Sequence, residues 1–219
     1  MKDPKILIAV PCMETIDVRF VQSILSIQKI GDTRLEFLPG NLVYVARDIL
    51  AAQAVQAEAD YVLWLDSDMV FPPDLLRKLW EHRDKGIISG LYFRRGAPFN
   101  PVIYKTVNIR NTVDDPESEN YDDYPKDTLF PVAAAGFGGL LMKTSILAEC
   151  FEKYGTCFEP IHSLGEDVSF CYRAKELGYT TYCHSGIQLG HRYMSVSNED
   201  TFLAYKELVR KMNGGKLRG

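Results

Sequence analysis

The 219-residue chain is short of several things that would settle its class at once. Its five cysteines, at 12, 150, 157, 171 and 183, are odd in number and contain no C-x-x-C pair, so neither a zinc knuckle nor a complete disulfide framework is signalled. That usage points to a reducing, cytoplasmic compartment. An excess of positive charge is missing. A net charge of -4 argues against a general nucleic-acid binder, which normally carries a basic face for phosphates. No apolar run is long enough for a membrane span. The opening MKDPKILIAVPC has lysines before a stretch too short for a signal-peptide core, with no small-residue cleavage site behind it. With 46% hydrophobic residues, the chain can nevertheless bury a full core.

What is present is an alternation of short apolar runs with helix-period segments, the pattern of strands joined by crossover helices in a mainly parallel, Rossmann-like sheet flanked by helices. KILIAV (5–10) reads as a buried first strand stopped by Pro11, and 34–38 as a second. Asn41 is placed to cap a helix whose apolar positions Leu42, Val45, Ala46, Ile49 and Ala52 recur at helical spacing. Further strands are expected at Tyr61–Leu65, 87–91, 140–143 and 179–183. Helices are expected after Pro73, after Thr144, from Gly165 to Gly178, and from a Ser197 cap with Phe202, Tyr205, Leu208, Val209 and Met212 on one side. Residues 113–128, VDDPESENYDDYPKDT, are acidic, aperiodic and twice interrupted by proline, which predicts a mobile loop within a single domain spanning 1–213. Residues 214–219 read as a flexible tail.

The chemistry-bearing residues stand at the ends of these elements. In YVLWLDSDMVFPP (61–73), an almost wholly apolar strand finishes in Asp66 and Asp68. Ligands of open parallel sheets bind outside the carboxyl ends of the strands. Side chains two apart in an extended segment point the same way, so D-x-D sends two carboxylates to one side, where a divalent cation such as Mn²⁺ or Mg²⁺ relieves their repulsion. Alternatively, both are solvated turn residues, or one caps the next helix. Glu166 and Asp167 open a later helix, where carboxylates also favour the helix dipole. His191, in GHR, is a candidate metal ligand or an ordinary hydrogen-bonded histidine. Arg94 and Arg95 are either a contribution to a phosphate or acceptor pocket or a solvated basic pair.

Taken in order, KILIAVPC, ARDILAAQAVQAEADYVLWLDSDMVFPP, AAGFGGLLMKTSIL, GEDVSFCYRAKELGY and GHR resemble the glycosyltransferases of the GT-A fold, close to the family-2 type. The resemblance implies transfer of a single sugar from a nucleotide-diphospho-sugar donor to an acceptor hydroxyl. Asp68 would bind the metal, Asp66 the donor's ribose or sugar or the metal through water, and His191 would be the third contact. The turn Pro11 to Glu14, including Met13, would hold the base, and Arg47 would reach the donor. Gly138 and Gly139 would form a small-residue bend beside the sugar. Asp167 would act as general base, with Glu166 beside it, in an inverting reaction. The turn here reads Cys12-Met13-Glu14 where the family commonly has an aromatic residue and asparagine, which leaves a UDP- or a GDP-sugar open. The acceptor-side helix lacks the Q-x-x-R-W of processive synthases, consistent with transfer of one sugar. The acceptor, whether glycan, protein or small molecule, and any homo-oligomer are left open. Two other classes remain: a sugar-phosphate nucleotidyltransferase, although AVPCMET is neither glycine-rich nor basic, and a non-catalytic carbohydrate- or nucleotide-binding protein of the same fold.

Overall fold

The computed structural model describes residues 3–109, 116–193 and 199–212. Its elements, in chain order, are β1 (Lys5–Cys12), α1 (Val18–Ser26), β2 (Asp32–Pro39), α2 (Val43–Gln56), β3 (Tyr61–Trp64), β4 (Met69–Val70), α3 (Leu75–Trp80), β5 (Ile87–Leu91), β6 (Ile103–Ile109), β7 (Pro116–Asn120), β8 (Leu129–Val132), β9 (Ala134–Ala135), β10 (Leu140–Lys143), α4 (Thr144–Tyr154), α5 (Glu166–Glu176), β11 (Thr181–Gln188), β12 (Gly190–His191) and α6 (Glu199–Met212). Seven strands form the central sheet in the order β2-β1-β3-β10-β5-β11-β8. β2, β1, β3, β5 and β11 run one way, while β10 and β8 run against them. This is a mixed α/β architecture with a mostly parallel sheet.

Strand alternation divides the core into two layers. Leu7, Ala9, Val62 and Trp64 face α2, α4 and α5, whereas Ile6, Ile8, Val10, Leu63 and Leu65 face α1 and α3. The run Tyr61–Leu65 is apolar throughout because β3 lies between β1 and β10 and is covered on both faces. No helix among the described residues is long and apolar enough to cross a membrane.

Several local expectations are corrected. β1 continues through Pro11 to Cys12, paired with β2 as far as Pro39. The β1–β3 ladder ends where Leu65 N–H donates to Ala9 O, and Cys12 O takes Gly40 N–H on the other side. By alternation Pro11 faces the side where pairing has ceased, so its missing N–H costs no ladder bond. Asn41 is not the cap of α2: Leu42 precedes the helix, and the Asn41 amide donates to Pro39 O. The buried face of α2 is Ala46, Arg47, Leu50, Ala51 and Ala54, leaving Ile49 and Ala52 exposed. The presumed loop 113–128 contains β7, an edge strand paired antiparallel with β6 in a second sheet of order β7-β6-β9. An edge strand needs a backbone partner more than a buried face, and Ser118 and Glu119 indeed point to water, so no apolar period announces it. Residues 113–115, the Ser197 cap and the 214–219 tail lie outside the described residues. On α6, Leu208 is exposed.

Candidate functional site

A cleft of about 490 Å³ opens at the carboxyl ends of β1 and β3. Pro11, Met13, Arg47, Asp66, Asp68, Glu166 and His191, all singled out from sequence, line it together with Arg95 and the Asn41–Val43 segment. The acidic pair reaches it by a route other than strand pleating. Met69 N–H donates to Asp66 O at 3.1 Å, closing a tight turn over 66–69 that brings both carboxylates to the same space. β4 then pairs with β12, setting His191 opposite Met69, and Arg192 N–H donates to Asp68 O at 2.8 Å. A two-residue ladder thus joins positions far apart in the chain.

Arg47 forms the floor. Its side chain is 2% exposed, and its guanidinium lies 5.5 Å from the Trp64 ring centre and 5.2 Å from that of Phe137. Nη2 donates to Asp66 Oδ1 at 2.6 Å and Nε to Glu166 Oε1 at 3.2 Å, while Nη1 is buried without a partner. Burial opposes the charge, but the Asp66 and Glu166 carboxylates outweigh it and hold Arg47 above its usual pKa. One unmatched donor on a buried cation is a cost that packing alone does not explain.

Asp68 and His191 form the other half of the site. Asp68 Oδ2 accepts from Arg95 Nη1 at 2.9 Å and lies 3.4 Å from His191 Nε2. Burial acts to raise the Asp68 pKa, yet the His191 hydrogen bond and the charges of His191 and Arg95 bring it below the usual carboxylate value. For His191 burial acts downward, but Asp68 and the Phe93 carbonyl raise the net value. His191 Nδ1 sits 2.9 Å from Phe93 O, an acceptor, so Nδ1 carries the hydrogen. A neutral ring then turns the Nε2 lone pair toward a carboxylate oxygen, an arrangement that calls for a shared cation, either a proton or a metal ion. Mg²⁺ and related hard cations are commonly held by only one or two carboxylates plus substrate phosphates; Asp68 and His191 are the side chains that would supply such a partial set, while Asp66 is engaged by Arg47. Among the described residues no group of three or more His, Cys, Asp or Glu side chains is arranged to hold a metal by itself.

Asp167 is set back from the cleft wall. Its Oδ1 takes Val168 N–H at 2.7 Å, and a Cβ on Gly165 would come within 2.9 Å of that oxygen, so Gly165 makes room for the folded-back carboxylate. Burial, followed by the adjacent Glu166 charge, pushes its pKa up to about 6. Glu14 is exposed and is not among the lining residues. Gly138 and Gly139 lie in the core: a Cβ on Gly138 would stand 3.0 Å from both Met69 Sδ and Tyr92 Cζ, and one on Gly139 2.4 Å from Leu189 Cδ2. Gly138 N–H donates to the Tyr92 hydroxyl at 3.2 Å. The close approach that requires glycine at both positions is therefore made by core side chains. Of the basic pair left open between a pocket and a solvated role, Arg95 lines the cleft. Its signal, a basic residue a few positions past a strand's carboxyl end, is shared by Arg94, which instead donates to the Tyr104 hydroxyl at 3.1 Å.

No family model matches the chain, and no curated protein matches it. Among solved structures, the chain is similar to one titled "Crystal Structure of A197 from STIV", with 17% sequence identity, a TM-score of 0.59, and coverage of 89% of this chain and 99% of that one. The likeness extends over nearly the whole of both chains and concerns the fold.

Proposed function

We propose that the cleft is the donor site of a metal-dependent glycosyltransferase that moves one hexosyl-type sugar from a nucleotide-diphospho-sugar, a UDP- or GDP-sugar, to an acceptor hydroxyl within a GT-A-type fold. The observation that carries this reading is the convergence of Arg47, Asp66, Asp68, Glu166 and His191, drawn from four separate stretches of sequence, on one cleft at the strand ends. Asp68 and His191, with Asp66 beside them, would hold Mn²⁺ or Mg²⁺, which when bound supplies positive charge to the departing diphosphate without a proton. Arg47 fixes Asp66 and Glu166 toward the donor and keeps its Nη1 group for it. Pro11 and Met13 provide the wall for the base. Asp167 receives the acceptor proton as that oxygen attacks the anomeric carbon, a role for which a carboxylate of raised pKa is suited.

A second reading, a nucleotide-sugar-binding protein without catalysis, is favoured by the Arg95–Asp68 pair, which already neutralises the carboxylate without a metal. The two readings separate in one assay. Purified protein incubated with a panel of nucleotide sugars is expected to release nucleoside diphosphate slowly, with Mn²⁺ required and EDTA abolishing the release. Asp68→Ala should remove the metal dependence of donor binding followed by thermal shift. Binding with no release under any condition supports the second reading. Pyrophosphate release from nucleoside triphosphate and sugar phosphate would instead make the chain a nucleotidyltransferase.

A further inference from the structure

Arg95 enters the cleft from a hairpin between β5 and β6. Tyr92 O accepts from Val102 N–H at 2.9 Å, Arg94 N–H donates to Asn100 O at 2.9 Å, and Phe99 N–H closes the tip on Gly96 O at 2.8 Å. Two contacts seat the hairpin on the charged floor, Phe93 O on His191 and Arg95 on Asp68. Phe99 is held with φ at 57°, a backbone region that a bulky side chain rarely adopts and that recurs where a side chain is presented to a ligand. Its ring is 48% exposed and stands 5.9 Å from that of Tyr193, itself 49% exposed, at an interplanar angle of 89°. Phe93, a third half-exposed ring, lies on the same hairpin.

Apolar burial does not account for this right-angled corner, because two large rings that pack on each other stay open to water. We propose that Phe99 and Tyr193 form the platform for the acceptor, and that the acceptor is a saccharide. The inference rests on the reading of the cleft as a sugar-transfer site, since Tyr193 follows His191 by two residues and Phe99 lies on the hairpin whose Phe93 carbonyl and Arg95 touch His191 and Asp68. A pyranose has one face of C–H groups and a rim of hydroxyls. The flat rings of the platform match the former, and the Tyr193 hydroxyl matches the latter. A lipid acceptor would call for a broader apolar surface, whereas these rings are interrupted by Arg94 and the 62% exposed side chain of Arg95.

The test separates the platform from the transferase reading by measuring saccharide binding without donor. Saturation-transfer NMR would be run with cellotetraose, maltotetraose, chitotetraose and mannotetraose, and with octyl phosphate and a serine-rich peptide as comparison probes. At least one tetrasaccharide is expected to bind. The Phe99→Leu/Tyr193→Leu double variant, which keeps apolar area but removes the flat faces, should weaken that binding by about tenfold or more. Leu25→Ala, at an exposed site on α1, should bind as the unaltered protein does. The proposal is overturned if no tetrasaccharide binds, if the double variant binds undiminished, or if only octyl phosphate or the peptide engages the rings. Saccharide binding lost in the double variant, with no nucleotide sugar hydrolysed, would keep the platform and remove the transferase. Donor hydrolysis without saccharide binding would remove the platform alone.

Discussion

Arg47 and Asp48 are neighbours on α2 and lead into two different regions of the molecule. Asp48 turns to the segment after α4, where its carboxylate accepts from Thr156 Oγ1 at 2.5 Å, Cys157 N–H at 2.8 Å and Phe158 N–H at 3.0 Å. Arg47 turns to the cleft, holds two carboxylates from distant elements and leaves Nη1 unmatched. Both residues take charge away from water, but only one has its hydrogen-bonding capacity taken up by the protein. A charge that serves the fold is matched by the fold, whereas a charge that serves a ligand keeps something in reserve. The same distinction sets the Asp48 turn, with three donors aimed at one carboxylate, against the 66–69 turn, whose carboxylates depend on Arg47, Arg95 and His191.

The comparison predicts a double dissociation. Arg47→Met should cost nucleotide-sugar turnover about 100-fold or more, the scale seen when a single donor to developing negative charge is removed. Its melting temperature should fall little, because Met fills the space between the Trp64 and Phe137 rings and Asp66 and Glu166, both partly exposed, can turn toward water. Asp48→Ala should behave in the opposite way. With two backbone N–H groups and a hydroxyl left unserved, it should lose about 2–3 kcal/mol, or roughly 5–10 °C in thermal unfolding, while turnover per folded molecule is retained. If Arg47→Met proves the less stable of the two and keeps its turnover, the contrast between the regions is wrong.

How much of this is legible in the sequence depends on whether the determining contacts are local. Tyr61–Leu65 and its acidic end are readable because a strand covered on both faces must be apolar along its whole length. Gly155, which ends α4 at φ 73°, is equally local, because glycine adopts that left-handed conformation without strain. The 66–69 turn is not, since D-x-D fits a pleat as well as a turn. Arg47 is visible only through family resemblance, because composition alone argues against burying an arginine. Arg95 and the Phe99–Tyr193 corner depend on how β12 pairs with β4 and how the β5–β6 hairpin rests on that pairing, contacts for which nearby residues carry no pattern. β7 is hidden for the converse reason: its acidic side chains need no buried face.

The smallest expected effect on stability belongs to the variant that best separates Asp167 from its neighbour Glu166. Burial first, and the Glu166 charge second, raise Asp167 to about 6 from an unfolded value near 3.8. Between about pH 4 and about pH 6 the folded state therefore holds a proton that the unfolded state has lost. The contribution of this group to stability is full below the lower value and declines as pH rises through the upper one. Asp167→Asn should remove that decline, so its melting temperature relative to the unaltered protein should improve from pH 4 to pH 7. Transfer follows the opposite course, because the base must be ionised: the rate should climb about tenfold per pH unit below pH 6 and level off above it. In Asp167→Asn both the climb and the transfer should vanish while donor binding persists. A variant that transfers sugar at full rate, or whose stability keeps the original pH dependence, would move the base from Asp167 to another group, and Glu166, already in the cleft, would be the next to test.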